Sequence, residues 1–449
     1  MKKQPNNMKW RHYILALYSF LPCFGFSQPD SFIVVGIHPA AVLQSSTIGK
    51  QLLSLFPWND KLYAGYGDYG ANTGPIDIYA FSPDSLAFIY EGQANTEAVY
   101  NYRALNGQLF APAIDRKSYG IPGDYAKMDS SGTWANYNFG SNSTHVFDAV
   151  KLNDSVLFMT GSQDEKAAVW RSINNGKTWG KILTDTAISQ IANDFARFYF
   201  GGLYNGKLYV QARDYYGSLH PASKVYDGLG WTEGPSLFPP GSGSLGWRPE
   251  VFAGRLLYRS WQPGQSSRLR SFDGLNNAWV DSLYVYDFFI DSTYFYALVD
   301  SGYGARNLRR TSDLINWENL LKVPNSSLSM AILKDRLYLG TVDSKILAYT
   351  KPVSLLHTSS VQMVFPEKIK INIYPNPARD AFSIDCTALQ TRKIKIGFLN
   401  TTGSILFNQI FDRDKTPVII ITTSNYPAGV YYIKVEFDGM VRTEKIILH

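Results

Sequence analysis

One short phrase recurs seven times along the chain and narrows the folds open to it. Its copies are Lys61-Leu62-Tyr63-Ala64-Gly65, Gln108-Leu109-Phe110-Ala111, Val156-Leu157-Phe158-Met159, Lys207-Leu208-Tyr209-Val210, Leu256-Leu257-Tyr258-Arg259, Tyr294-Phe295-Tyr296-Ala297 and Arg336-Leu337-Tyr338-Leu339-Gly340. Most copies follow a pair suited to a two-residue hairpin turn: Asn59-Asp60, Asn106-Gly107, Asn153-Asp154, Asn205-Gly206 or Lys334-Asp335. Each phrase therefore reads as the second strand of a hairpin. Its large apolar residue stands at 62, 109, 157, 208, 257, 295 and 337, giving spacings of 47, 48, 51, 49, 38 and 42 residues. Those spacings suit a propeller blade, so the pattern predicts an all-β fold built around a seven-bladed β-propeller.

The third copy predicts a complete blade: Phe147 to Leu152, Val156 to Thr160, Ala167 to Arg171 and Lys177 to Leu183. The turn between its last two strands, Ser172-Ile173-Asn174-Asn175-Gly176-Lys177-Thr178-Trp179, resembles the Asp-box of sialidase-type and related propellers, with Asn174 in place of the Asp. Such a turn needs a short polar side chain to cap its backbone, an open Gly, and a Trp to cover the gap between sheets. Degraded copies begin at Asp129, Asp227, Asp273 and Ser312, so a Trp recurs at 134, 179, 231, 279 and 317, in phase with the opening phrase. The seventh copy has three strands and no Trp-bearing fourth before Pro352. An unpaired edge there would be a liability, and the otherwise orphan stretch Phe32 to Ile37 is expected to close it.

The propeller is thus placed at residues 28–352, followed by a polar linker at 353–368 and a separate domain at 369–449. Strand-like runs at Lys370–Tyr374, Ala381–Ile384, Lys393–Leu399, Ser404–Ile410, Pro417–Ile421, Val430–Phe437 and Val441–Leu448 predict a small immunoglobulin-like β-sandwich. Four ordered motifs mark this domain. They are Ile373-Tyr374-Pro375-Asn376-Pro377-Ala378, Asn400-Thr401-Thr402-Gly403, Pro427-Ala428-Gly429-Val430-Tyr431-Tyr432-Ile433, and Gly439 followed by Lys445-Ile446-Ile447. The domain resembles the type A C-terminal sorting domain of the type IX (Por) secretion system of Bacteroidetes, departing from it with Tyr426 where Leu is usual. The resemblance implies export to the outer cell surface or beyond, and partnership with the secretion machinery. It places the sorting motif at Tyr374, Pro375, Asn376, Pro377, Gly429, Tyr431, Gly439 and Lys445.

Residues 1–27 read as a signal peptide, with Lys2, Lys3, Lys9 and Arg11 ahead of the apolar run Tyr13 to Phe24 and the small-x-small site Gly25-Phe26-Ser27. The run is too short and too broken by Pro22 for a membrane span, so no transmembrane segment is expected in the mature protein. Removing it takes away four basic residues and lowers the formal charge from +6 to +2, which speaks against a nucleic-acid partner. Cys386 is then the one remaining cysteine, and no internal disulfide is possible.

Candidate ligand chemistry gathers in the loop between the second and third strands of each blade. Asp68, Asp115, Asp164, Asp214, Asp300 and Asp343 follow the large apolar residue of their repeat phrases by five to seven residues. Such a ring could hold calcium or attract a cationic or polyhydroxylated ligand; alternatively each Asp caps its own turn. No other cofactor is implied. Tyr66, Tyr69, Tyr215, Tyr216 and Trp261 could stack on sugars or fill blade junctions. The mature-chain histidines 38, 145, 220, 357 and 449 show no metal-ligand spacing, and no sialidase Arg-Ile-Pro motif occurs.

Three functions follow: a non-catalytic binder of an extracellular ligand, a sialidase-like glycoside hydrolase, or an adhesin or scaffold. Buried carboxylates or arginines at the channel mouth would favour the enzyme. A shallow Tyr-lined mouth would favour the binder, and an exposed apolar patch on outer strands the adhesin.

Overall fold

The computed structural model describes residues 31–140, 144–238, 246–260, 266–302, 304–356, 371–387, 389, 393–401, 404–437 and 440–449. The expected signal peptide, most of the linker, Trp261 and Gly439 lie outside these residues. The chain divides into two compact units, Met1–Thr358 and Ser359–His449. The described residues hold strands and three short 3-10 turns but no α-helix.

The first unit is a β-propeller, its strands grouped into four-stranded antiparallel sheets that follow one another along the chain. The third is representative, running Thr144–Lys151, Leu157–Gln163, Lys166–Ser172 and Gly180–Asp185 from inside to outside. The repeat phrase forms the second strand. In Leu157–Gln163 every residue is buried, as expected of a strand flanked on both edges and covered on both faces. The outermost strand, Gly180–Asp185, has no fully buried residue. Strand Asn277–Ile290 serves two sheets at once: its start pairs with Ser267–Phe272 and its end with Phe295–Asp300.

The hairpin pairs do what their residue types suggest. Asn59 and Asp60, Asn106 and Gly107, Asn205 and Gly206, and Lys334 and Asp335 all adopt positive φ, the backbone of a tight two-residue hairpin. The third copy differs. There the Asn153 side chain accepts from the amides of Ser155 and Val156, so the loop is longer and side-chain-capped, and the second strand starts at Leu157.

A glycine in the second strand answers an irregularity in the inner strand beside it. Gly161 faces the register shift between Val146 and Asp148, and a Cβ there would collide with the His145 carbonyl. Gly340 plays the same part opposite the shift between Ser327 and Ser329, where a Cβ would collide with Ser329 Oγ. Close backbone approach, rather than turn formation, requires Gly at 161, whereas at 340 the space is taken by the Ser329 hydroxyl.

The last sheet is completed from the other end of the unit. Phe32–Ile37 pairs antiparallel with Lys345–Tyr349, from Phe32 opposite Tyr349 to Ile37 opposite Lys345. Two further bonds tie this last sheet to the first: Leu52 N donates to Thr341 O at 3.0 Å, and Ser329 Oγ donates to Leu52 O at 2.7 Å.

Trp side chains fill the seams between sheets. Trp179 meets Tyr125 of the preceding sheet edge-on at 6.2 Å, and Trp134 lies 6.4 Å from Tyr63 of the sheet before it. The turn leading to Trp179 is held by Ser172 and Asn174. Gly176 N donates to Ser172 Oγ, and Thr178 N to Asn174 Oδ1. Elsewhere Asp129, Asp227, Asp273 and Asp313 accept from amides two to four residues ahead, each closing its own turn.

In the second unit one sheet holds Asn372–Tyr374, Ala381–Asp385 and Val418–Thr422; the other holds Ile405–Asp412, Lys393–Asn400, Gly429–Phe437 and Met440–Leu448. Phe382, Ile384, Ile396, Phe398, Ile433 and Ile446 fill the core between them, with Cys386 buried among them as a free thiol. Asn376 pins the final strand: its Nδ2 donates to Lys445 O at 2.8 Å and its Oδ1 accepts from Ile447 N at 3.0 Å.

Candidate functional site

The inner strands begin, and the second strands end, at the same edge of the propeller, where the second-to-third loops lie. The six candidate aspartates sit along this edge but are committed to separate tasks. Asp68 accepts from the amides of Gly70 and Ala71 and from Ser46 Oγ, capping a 3-10 turn. Asp164 occupies a positive-φ turn with Glu165 and is exposed. Asp300 accepts from Ser266 Oγ and Gly302 N, while Asp343 accepts from Thr341 Oγ1 and pairs with Lys345. Asp214 is fully buried, accepting from the amides of Ile188 and Ser189 and bonding His220 Nε2 at 2.9 Å.

The expected carboxylate ring is therefore not assembled. Among the described residues no group of three or more His, Cys, Asp or Glu side chains is placed to hold a metal ion. Turn amides take Asp68 and Asp300, while His220 with distant amides takes Asp214 and Thr341 with Lys345 takes Asp343.

Asp115 stands apart. Its Oδ1 meets His145 Nε2 at 2.5 Å, and burial pushes its carboxyl up to about 6 despite the opposing pull of Arg197. Burial, reinforced by the nearby Arg197 charge, holds His145 well below its usual range, so the ring is neutral at physiological pH. Glu97 lies close enough to feel Asp115, and its carboxyl is also raised, first by burial and then by that neighbour.

Arg197 is the centre of this group. It opens the inner part of the fourth sheet, in strand Ala196–Phe198, opposite Arg213. Only 6% of it is exposed, yet among the described residues its guanidinium makes no hydrogen bond and no ion pair, and its Nε is fully buried. Aromatic faces surround the guanidinium instead: Phe195 at 4.5 Å, Tyr215 at 5.1 Å and Phe147 at 5.5 Å. Tyr215 stacks on Phe195 at 4.9 Å, and Phe147 packs on Tyr199 at 4.6 Å. Outward from these, Tyr69, Tyr215 and Tyr216 are 38%, 46% and 60% exposed. Tyr66 is buried and donates its hydroxyl to Asp77 O, so it belongs to the packing.

Below this mouth the centre is filled. Leu53, Ala98, Tyr100, Ile114, Phe147 and Leu328, drawn from different sheets, form one buried cluster. Towards the opposite edge, where the inner-to-second turns lie, Arg103 bridges the interior. It pairs with Asp148 at 2.8 Å and with Glu250, and lines a cavity of about 390 Å³ with Leu105, Lys151, Leu203 and Val251.

Sequence reading missed His145, Arg197, Arg103 and Glu97. A single Arg in the aromatic run Phe195-Ala196-Arg197-Phe198-Tyr199-Phe200 was the available signal, because a lone cation in a buried strand demands an explanation.

Fold and terminal domain together define an exported β-propeller protein. Residues 372–449 match the secretion system C-terminal sorting domain family. A sorting domain of this kind indicates export to the cell surface or the extracellular space and implies interaction with the secretion machinery. No helix among the described residues is long and apolar enough to cross a membrane.

Solved structures with a similar fold include PorZ, an essential surface component of the type IX secretion system of Porphyromonas gingivalis. It is 14% identical, with a TM-score of 0.45, over 89% of this chain and 59% of that one. A streptogramin B lyase is 9% identical, with a TM-score of 0.47, over 71% of this chain and 97% of that one. The GH74 xyloglucanase of Xanthomonas campestris is 14% identical, with a TM-score of 0.45, over 71% and 53%. The chain thus spans only 59% of the length of the PorZ chain. No curated protein matches it.

Proposed function

We propose that the propeller is an extracellular binding module, without catalysis of its own, that takes a ligand at the second-to-third loop mouth. The observation that carries this reading is the exposed tyrosine surface of Tyr69, Tyr215 and Tyr216 beside the ring-lined Arg197. Tyrosines supply broad apolar faces with a polar tip and lose little side-chain freedom on binding, which suits recognition.

A second reading rests on Asp115, Glu97 and His145. Two carboxyls with raised pKa values beside a neutral imidazole are the groups that acid–base cleavage of a glycosidic bond would use.

One experiment separates the two. The full exported chain, and a Tyr215→Ala/Tyr216→Ala variant, are applied to a glycan array, and the eluate is assayed for released sugar. Retention lost in the variant, with no release, supports the binder. Release of sugar that Asp115→Asn abolishes supports the enzyme.

A further inference from the structure

We propose that Arg197 is the anchor for a ligand carboxylate carried on a ring, so that the occupant of the mouth is a small cyclic acid. This deepens the binding-module reading and rests on it.

The guanidinium of Arg197 lacks acceptors for its N–H groups among the described residues. A guanidinium carries five N–H donors, and desolvating them without acceptors is costly. That of Arg197 is buried and makes no hydrogen bond or ion pair among the described residues. Three ring faces at 4.5 to 5.5 Å return part of the lost solvation through cation–π attraction, but they accept none of the N–H bonds in the plane of the fork. Its Nε is buried without an acceptor, and two of the exposed rings of the mouth adjoin the guanidinium: Tyr215 lies over it at 5.1 Å and Tyr69 is near enough to feel its charge. A planar acceptor with two oxygens satisfies such a fork by two parallel bonds.

Charge selects among anions. Asp115 and Glu97 lie on the same side, with Lys117 as a further cation near Glu97. A dianion such as phosphate meets those two carboxyls, whereas a monoanionic carboxylate meets half the repulsion. The exposed faces of Tyr69 and Tyr215 then favour a ring as the body of the ligand.

The site also carries a pH dependence. The groups facing Asp115 are Tyr69, Glu97, Tyr100, His145 and Arg197. The two tyrosines are raised and stay neutral, and His145 is neutral. Asp115 is thus the main group to change as pH falls through about 6, with Glu97 moving in the same sense. Its protonation removes a negative neighbour, so carboxylate binding tightens as pH falls.

The test titrates the full chain with glucuronate, benzoate, glucose, benzyl alcohol and inorganic phosphate at fixed ionic strength, following tyrosine and tryptophan fluorescence. At least one acid should bind tenfold or more tightly than its neutral counterpart and than phosphate, and the acid that does so identifies a sugar or an aromatic body. Arg197→Gln should erase that preference, Arg197→Lys should retain part of it, and Asp115→Asn should flatten the pH profile. Thermal unfolding of Arg197→Gln at or above the wild-type midpoint would show that the arginine is not there for stability. Equal binding of acid and neutral counterpart overturns the carboxylate assignment while leaving a binding module. Preference for phosphate, no response to any probe, or an acid preference unchanged in Arg197→Gln also overturns it.

Discussion

His220 shows how a buried side chain acquires its charge here. Burial opposes protonation, but hydrogen bonds and charges from Asp185 at 3.2 Å and Asp214 at 2.9 Å outweigh it and raise the pKa. The folded state therefore binds the proton more tightly than the unfolded chain does. This contribution is fully present below the unfolded histidine value and is lost as pH rises through the folded one. The margin of the wild type over His220→Gln, read as the difference in urea midpoint at each pH, should thus shrink as pH rises from 5.5 to 8.5. Equal slopes would remove His220 from the account. Asn376→Ala offers a pH-independent check in the sorting domain. Losing its bonds to Lys445 and Ile447 should cost about 1–3 kcal/mol, read as a lower melting temperature.

The aspartates mark what sequence could and could not reveal at this scale. Periodicity located Asp68 and Asp214 within their sheets, but it carries no information on which way a carboxylate turns. Asp68 turned to the amides just ahead of it, and Asp214 to His220 and a distant loop. Local geometry decided the first, and the meeting of residues 188 and 214 decided the second.

Among elements, the second strands were readable because burial on both faces forces a continuous apolar run. The paired strand Phe32–Ile37 was readable for a different reason: the seventh repeat was one strand short. Its neighbour in the sheet is Lys345–Tyr349. Split elements were not readable. The inner strand of the fourth sheet is broken into Ala196–Phe198 and Gly202–Tyr204, which pair with different partners, and it is the first piece that delivers Arg197. Gly161 gives the element-scale prediction. Replacing it with Ala forces the second strand away from the His145 carbonyl, so stability should fall by about 1–3 kcal/mol in a urea titration. Gly107, a positive-φ turn glycine with open space around it, should report strain without collision, so Gly107→Ala should cost less.

For the whole molecule, export and the ligand capture proposed above fall to different stretches of chain. Removing residues 372–449 should leave the propeller inside the cell, detected by immunoblotting cell, surface and medium fractions. Undiminished arrival in the medium would contradict the sorting role. The arginine bridge from Arg103 to Glu250 shows why the interior was illegible: it joins residues 147 apart in sequence, and no local pattern announces such a pair.

The mouth exists only if the sheets form one closed ring, and that closure depends on the strand Phe32–Ile37 seated against Lys345–Tyr349. Hydrogen exchange of the full chain tests it directly. The amides of both strands that bond across this pair should exchange as slowly as those of Leu157–Gln163, rising and falling together as denaturant is added. Rapid exchange of Phe32–Ile37 beside a protected Leu157–Gln163 would show an open ring, and the ligand site built on it would fall.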